Sequence, residues 1–299
     1  MKRFAFLSLA LGAFLGLSAC GNMDPDIDTV QSELIGSGTV IHIGDSYSAG
    51  VGLYPDESSY ADPTCWRDNT YTPAARVAAS RGGRLINKSC IGGYAEDTIP
   101  EQFRQAMPAG SDGTNTLIVL TAGGNDVRTK RDEEWPSLVK RCILKLSFTG
   151  CNREDANQVG NWADVGSKLD DLYDLIASKA PKANVRVLGY PRMMQPDSFW
   201  GCPGVTGIGT GEGRWFDSQV DMLNATISAA VARARTRTRV DFKFVDVASY
   251  FADGGACRRW NADRLVNDRI GSLFDPSKSS FHPSAKGWDA YYRALAASL

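Results

Sequence analysis

The sequence predicts an α/β fold on a five-stranded, mostly parallel sheet. Five short β-prone runs are spaced along the chain, and amphipathic helical patterns lie between and after them. Strands alternating with helices imply right-handed βαβ crossovers, with ligands bound at the carboxyl ends of the strands. The length of 299 residues, 43% of them hydrophobic, is enough for one large core.

The first run, TVIHI (39–43), stops at Gly44-Asp45-Ser46 and continues into small residues and glycines. The others are GRLINKS (83–89), TLIVLT (116–121), NVRVLGY (184–190) and FKFVDV (242–247). The first helical pattern, TPAARVAASRG, has Pro73 near its start and Gly82 at its end, the expected punctuation. VGSKLDDLYDLIASKAP places Val165, Leu169, Leu172, Leu175 and Ile176 on one helix face. A long helix is expected over 215–235, and PSAKGWDAYYRALAASL supplies the last. Two segments, about 127–161 and 191–214, read as loop-rich insertions that build over the strand ends. The chain has no internal repeat and no low-complexity tract.

The first residues read as a targeting segment. Lys2 and Arg3 precede an apolar stretch (4–17) and then Ser18-Ala19-Cys20, the layout of a signal peptide. Leu17-Ser18-Ala19-Cys20 also resembles a bacterial lipobox, whose cysteine is lipidated. Residues 1–20 are therefore expected to be a lipoprotein signal, 21–38 a flexible tether and 39–299 the folded domain. The alternative is an ordinary signal peptide that contains a cysteine. Either way the protein is expected outside the cytoplasm, as a cell-envelope lipoprotein or a secreted protein, with an N-terminal lipid as its membrane contact.

Seven cysteines less Cys20 leave six, an even number that suits disulfides in an exported chain, although 15 pairings are open. Pairing by proximity along the chain would join Cys65–Cys90, Cys142–Cys151 and Cys202–Cys257. Net charge is −1, from 33 basic and 34 acidic residues without a run of either sign, so no nucleic-acid partner is expected. No CxxC or Cys/His cluster is present and there are only two histidines, so neither a metal nor a cofactor is expected. A monomer is expected.

Ser46 follows its strand by three residues and so lies at the carboxyl edge of the sheet. A serine hydroxyl needs a base to become a nucleophile. His42 belongs to the same strand, roughly 10 Å or more away at about 3.3 Å per residue, and reads as a satisfied core or strand histidine. His282, in SSFHPSAKGW, remains, at a loop–helix junction that can reach across the sheet edge. Acyl transfer also needs donors aimed at a developing oxyanion. SCIGGYAEDT follows the second strand and TAGGNDV the third. Their glycines allow close backbone approach, and Asn125 offers a side-chain amide.

These residues resemble the SGNH, or GDSL, hydrolases. Gly44-Asp45-Ser46 is similar to the nucleophile block, and Gly92 in CIGGY to the glycine block. Gly123-Gly124-Asn125-Asp126 is similar to the GGND block, and His282-Pro283 to the histidine block. The resemblance runs from about residue 39 to the C-terminus and is nearest to secreted bacterial lipases and esterases of the Streptomyces type with three disulfides. It implies a three-layer α/β/α, flavodoxin-like fold. It also implies a Ser46 nucleophile, a His282 base and an oxyanion hole of the Ser46 and Gly92 N–H groups with the Asn125 amide. No GxSxG elbow is present, against the ordinary α/β-hydrolase fold.

One position departs from the family. An aspartate is usual three residues before the histidine, and here that residue is Ser279, with Asp275 the next acidic candidate. The resemblance implies that a backbone carbonyl can take the carboxylate's place, as in some relatives, and orienting the imidazole requires only an acceptor for its N–H, so a Ser46–His282 dyad with the Ser279 main-chain oxygen as orienter is expected. Asp45 and Asp126 read as loop-bracing acceptors, and Trp66, Trp200 and Trp215 as possible acyl-pocket residues. The expected activity is hydrolysis of carboxylic esters, lipid or small-molecule. Deacetylation of O-acetyl polysaccharides is the alternative enzyme, and a non-catalytic binding lipoprotein the alternative class.

Overall fold

The structure is a computed structural model that describes residues 38–144, 150–196, 202, 208–258, 264–268 and 277–299. The expected signal, tether and Cys20 lie outside the described residues, as do Trp200 and Asp275.

Five strands form one sheet: β1 (Thr39–Gly44), β2 (Arg84–Asn87), β3 (Thr116–Thr121), β4 (Asn184–Leu188) and β5 (Asp241–Val245). Their order is β2-β1-β3-β4-β5 and every pair is parallel. β3 is buried throughout and β1 at every residue after Thr39, which is why both read as unbroken apolar runs. The edge strand β5 alternates over its first three residues, with Phe242 buried between the exposed Asp241 and Lys243.

Among the described residues, seven α-helices accompany the sheet: α1 (Ser46–Ala49), α2 (Pro73–Ser80), α3 (Thr98–Ala106), α4 (Trp135–Ile143), α5 (Trp162–Lys179), α6 (Thr210–Arg237) and α7 (Ala285–Ala296). α2 packs on β1 and β2 and against α7. On the other side α3 packs on β1, while α5 and α6 lie side by side with α6 against β5. The result is a three-layer α/β/α molecule. In α5 the inward face is Val165, Leu169, Leu172, Tyr173 and Ile176, with Leu175 only half-buried.

Four helices depart from the sequence expectation. α1 and α3 match none of the helical patterns read above, α4 falls inside a segment read as loop, and α6 begins at Thr210 rather than 215. The earlier start of α6 follows from its cap, where the Gly209 N–H donates to Glu212 Oε2 at 2.9 Å. Three disulfides are present: Cys65–Cys90, Cys142–Cys151 and Cys202–Cys257.

Candidate active site

β1 delivers Ser46 through a turn that only glycine permits. Gly44 has φ +126°, and a Cβ there would sit 2.4 Å from the Thr121 carbonyl oxygen of β3. The Gly44 N–H donates to Gln102 Oε1 of α3 at 2.7 Å, and the Asp45 N–H to the Thr121 carbonyl at 3.1 Å. Asp45 caps α1, its carboxylate accepting the Tyr47 N–H at 2.9 Å. Ser46 therefore opens α1 at the carboxyl edge of the sheet, with 7% of its surface exposed.

The loop before α7 brings His282 to meet it. His282 Nε2 lies 2.8 Å from Ser46 Oγ, across 236 residues of chain. Phe281 holds φ +62°, unusual for a non-glycine residue, and its carbonyl is fixed by the Tyr47 hydroxyl at 2.7 Å. The Tyr47 ring also lies 4.9 Å from the imidazole. On the facing loop, Gly52 has φ +102°, and a Cβ there would come within 2.4 Å of the Pro283 oxygen and 2.9 Å of His282 Cβ.

The acceptor behind the imidazole is Ser280, not the expected Ser279. His282 Nδ1 lies 3.0 Å from the Ser280 carbonyl oxygen. The Ser279 oxygen is turned away, accepting the Asn267 amide at 3.3 Å and the His282 N–H at 3.4 Å. The cause is the left-handed Phe281, which reverses the chain just before the histidine. A carbonyl can only accept, so Nδ1 carries the proton and Nε2 presents its lone pair to the Ser46 hydroxyl. Burial lowers the His282 pKa from 6.5 to about 4, against opposing pulls from the Ser280 and Lys278 carbonyls.

Two further loops face the same space. Gly92 has φ +77°, and a Cβ there would meet nothing. Among the described residues no acceptor is paired with the Ser46 or the Gly92 backbone N–H. Asn125 Nδ2 donates to the Gly93 carbonyl at 3.0 Å, which links the two loops and leaves its second amide hydrogen for a ligand. Asp126 accepts the Ala95 N–H at 2.9 Å and braces the same junction. Ser46, Gly92, Asn125 and His282 all line one cavity of about 520 Å³. Ile91, Val139, Ile143, Met193, Val220 and Leu223 give most of its remaining wall an apolar character.

Tyr190, just beyond β4, ties these parts together and is absent from the sequence-based set. Its hydroxyl donates to Asp45 Oδ2 at 2.5 Å and accepts the Gly124 N–H at 3.0 Å. Burial raises the Asp45 pKa to about 7, opposed by the hydrogen bonds from Tyr190 and Tyr47. The rule that placed Ser46 at a strand's carboxyl end, applied to the fourth strand, points to Tyr190 as well. Trp135 of α4 is the tryptophan that lines the cavity. Trp66 packs instead in a separate cluster with Val51 and Tyr60, and Trp215 stacks behind Trp135. His42 is fully buried, but neither ring nitrogen has a partner, and burial pushes its pKa to about 3. It is a core histidine without the hydrogen bonds expected of one.

The model of the GDSL-like lipase/acylhydrolase family matches residues 42–290. A lipase of Streptomyces rimosus is 29% identical over 254 residues, covering 84% of this chain and 83% of that protein. Lipase 1 of Streptomyces coelicolor is 29% identical over 255 residues, with 84% and 83% covered. Among solved structures, phospholipase A1 from Streptomyces albidoflavus NA297 superposes with a TM-score of 0.68 at 26% identity, covering 88% of this chain and 100% of that one. The extracellular lipase from Streptomyces rimosus gives 0.63 at 27% identity, with the same shares covered. By motif, fold and relatives, the chain belongs to the GDSL-like lipase/acylhydrolase family and is a carboxylic ester hydrolase.

Proposed function

We propose that this protein hydrolyses lipid esters through a Ser46–His282 dyad, with the acyl chain seated in the apolar cavity. The observation that carries the reading is the 2.8 Å approach of His282 Nε2 to Ser46 Oγ at the wall of that cavity. Ser46 Oγ attacks the ester carbonyl while its proton passes to Nε2. The carbonyl electron pair moves to oxygen, held by the Ser46 and Gly92 N–H groups and the Asn125 amide. Collapse of this adduct breaks the ester C–O bond, and His282 returns the proton to the leaving alcohol. Water then repeats the sequence on the acyl-enzyme and frees the acid and Ser46. The Ser280 carbonyl, a neutral orienter, holds the imidazole tautomer throughout.

A polysaccharide O-acetyl group would leave most of a 520 Å³ apolar cavity unfilled, which favours the lipid ester. We further propose that residues 1–20 direct export, that Cys20 carries the lipid and that 21–38 tether the domain 39–299 outside the cytoplasm. Three disulfides and an extracellular relative support an oxidising location.

The test uses a fluorophosphonate probe on the protein and its Ser46→Ala variant, with p-nitrophenyl esters from acetate to palmitate, acetylated xylan and phospholipid as substrates. Labelling that requires Ser46, with turnover favouring the longer acyl groups, is expected. Asn125→Ala should lose about 10²–10³ in kcat, the usual effect of removing one oxyanion donor, and damage turnover far more than folding. Labelling that survives Ser46→Ala, or turnover confined to acetylated xylan, would overturn the reading.

A further inference from the structure

Trp135, the first residue of α4, separates two spaces. It lines the 520 Å³ cavity and also a small apolar pocket of about 20 Å³ bordered by Val127, Trp162 and Gln219. Val220 and Leu223 complete the partition. None of Ser46, Gly92, Asn125 or His282 borders the smaller pocket, so it lies on the side of the partition away from the reacting groups. Val220 and Leu223 are core residues of α6, 4% and 6% exposed. Trp135 is only half-buried, and its indole leans on the rings of Trp215 and Phe216, with centroids 6.1 Å and 5.4 Å away. It is the bulkiest part of the wall and the part least tied into the core.

We infer that the Trp135 indole sets the acyl-length limit of this hydrolase, with the small pocket behind it as the unused continuation of the acyl site. The inference rests on reading the main cavity as the acyl site. A chain lengthened by one methylene gains about 0.8 kcal/mol while the added carbon leaves water, close to a fourfold gain in binding. That gain ends when the chain tip meets the indole, because further carbons stay in water or force the wall apart. Removing the indole joins the two spaces along an apolar path past Val220 and Leu223. Trp162 then becomes the next aromatic wall.

The test is kcat/KM across p-nitrophenyl esters from acetate to palmitate for the full chain, Trp135→Ala, Trp135→Phe and Trp135→Ala with Gln219→Phe. Trp135→Ala should move the optimum to longer chains, each newly accepted methylene adding up to about fourfold relative to the shortest esters. Trp135→Phe should move it the same way by less, and Gln219→Phe in the alanine background should draw it back by refilling the space. Should Trp135→Ala not fold, the direction of the Trp135→Phe shift decides. An unmoved optimum, or a change uniform over all lengths, would overturn the role of Trp135 while leaving the ester hydrolase intact. Loss of Ser46-dependent turnover on every ester in the parent protein would instead overturn the proposed function.

Discussion

At the residue scale, the imidazole of His282 works with a main-chain carbonyl behind it and no facing carboxylate among the described residues. A carboxylate would favour imidazolium and raise the pKa, whereas burial beside a neutral acceptor lowers it to about 4. In the proposed dyad the imidazole must be neutral to accept the Ser46 proton, so the active form dominates above that value and is lost as pH falls through it. We predict that kcat/KM on an uncharged ester reaches its plateau by about pH 5–6, with an acid limb near 4 rather than the ordinary 6.5. A pH–rate profile checks this, and a half-point between 6 and 7 would contradict it. The meeting of Ser46 with His282 was legible in the sequence because the chain holds two histidines and the other, His42, lies in the strand that leads into Ser46. The acceptor was legible only to within one residue. Choosing Ser280 over Ser279 depends on the positive φ of Phe281, which no local propensity announces.

At the element scale, the nucleophile turn and the histidine loop are held together by contacts around Gly52. Its carbonyl accepts the Asn267 amide at 2.9 Å, and its N–H donates to the Tyr60 hydroxyl at 3.0 Å. Gly52→Ala would place a methyl against Pro283 and the root of His282 in a backbone conformation that alanine resists. The expected cost is about 1–3 kcal/mol of stability, with a fall in kcat beyond what unfolding accounts for, because the imidazole is displaced from Ser46. Thermal unfolding and kcat measured on the same sample separate the two. Unchanged kcat would mean that the histidine loop seats independently of Gly52. The elements were legible in proportion to their regularity. The apolar run of β3 matches its strand residue for residue, since burial on both faces leaves no other pattern. α4 was missed, although Pro136 at its start and Leu138, Val139, Cys142 and Ile143 form a helical stripe. The surrounding cysteines, glycines and tryptophans outweighed nine residues of periodicity.

For the whole molecule, the disulfides close loops of very different length, with sequence separations of 55 for Cys202–Cys257, 25 for Cys65–Cys90 and 9 for Cys142–Cys151. Restricting the unfolded chain should then contribute about 4, 3.5 and 2.6 kcal/mol in that order. Denaturant unfolding of paired Cys→Ala variants checks the ranking. The shortest link is expected to weigh least on stability and most on long-chain esters, because it ties α4, the cavity wall, to Cys151, whose N–H donates to Glu212 of α6 at 2.8 Å. Equal losses of stability for all three pairs, or intact long-ester turnover without Cys142–Cys151, would refute this division of labour.

Every described strand runs the same way, so among the described residues the opposite rim of the sheet lies away from Ser46 and His282. β1 starts there at Thr39 and advances about 20 Å before Ser46 at the usual rise per residue. α7 leaves His282 and travels back until the Ser298 carbonyl accepts from Arg186 and Lys243, beside the start of β5. Both outward connections of the domain thus emerge at its rear. A bead or a rigid fusion partner joined directly at Thr39 or beyond Ser298 would sit on the side away from the cavity mouth.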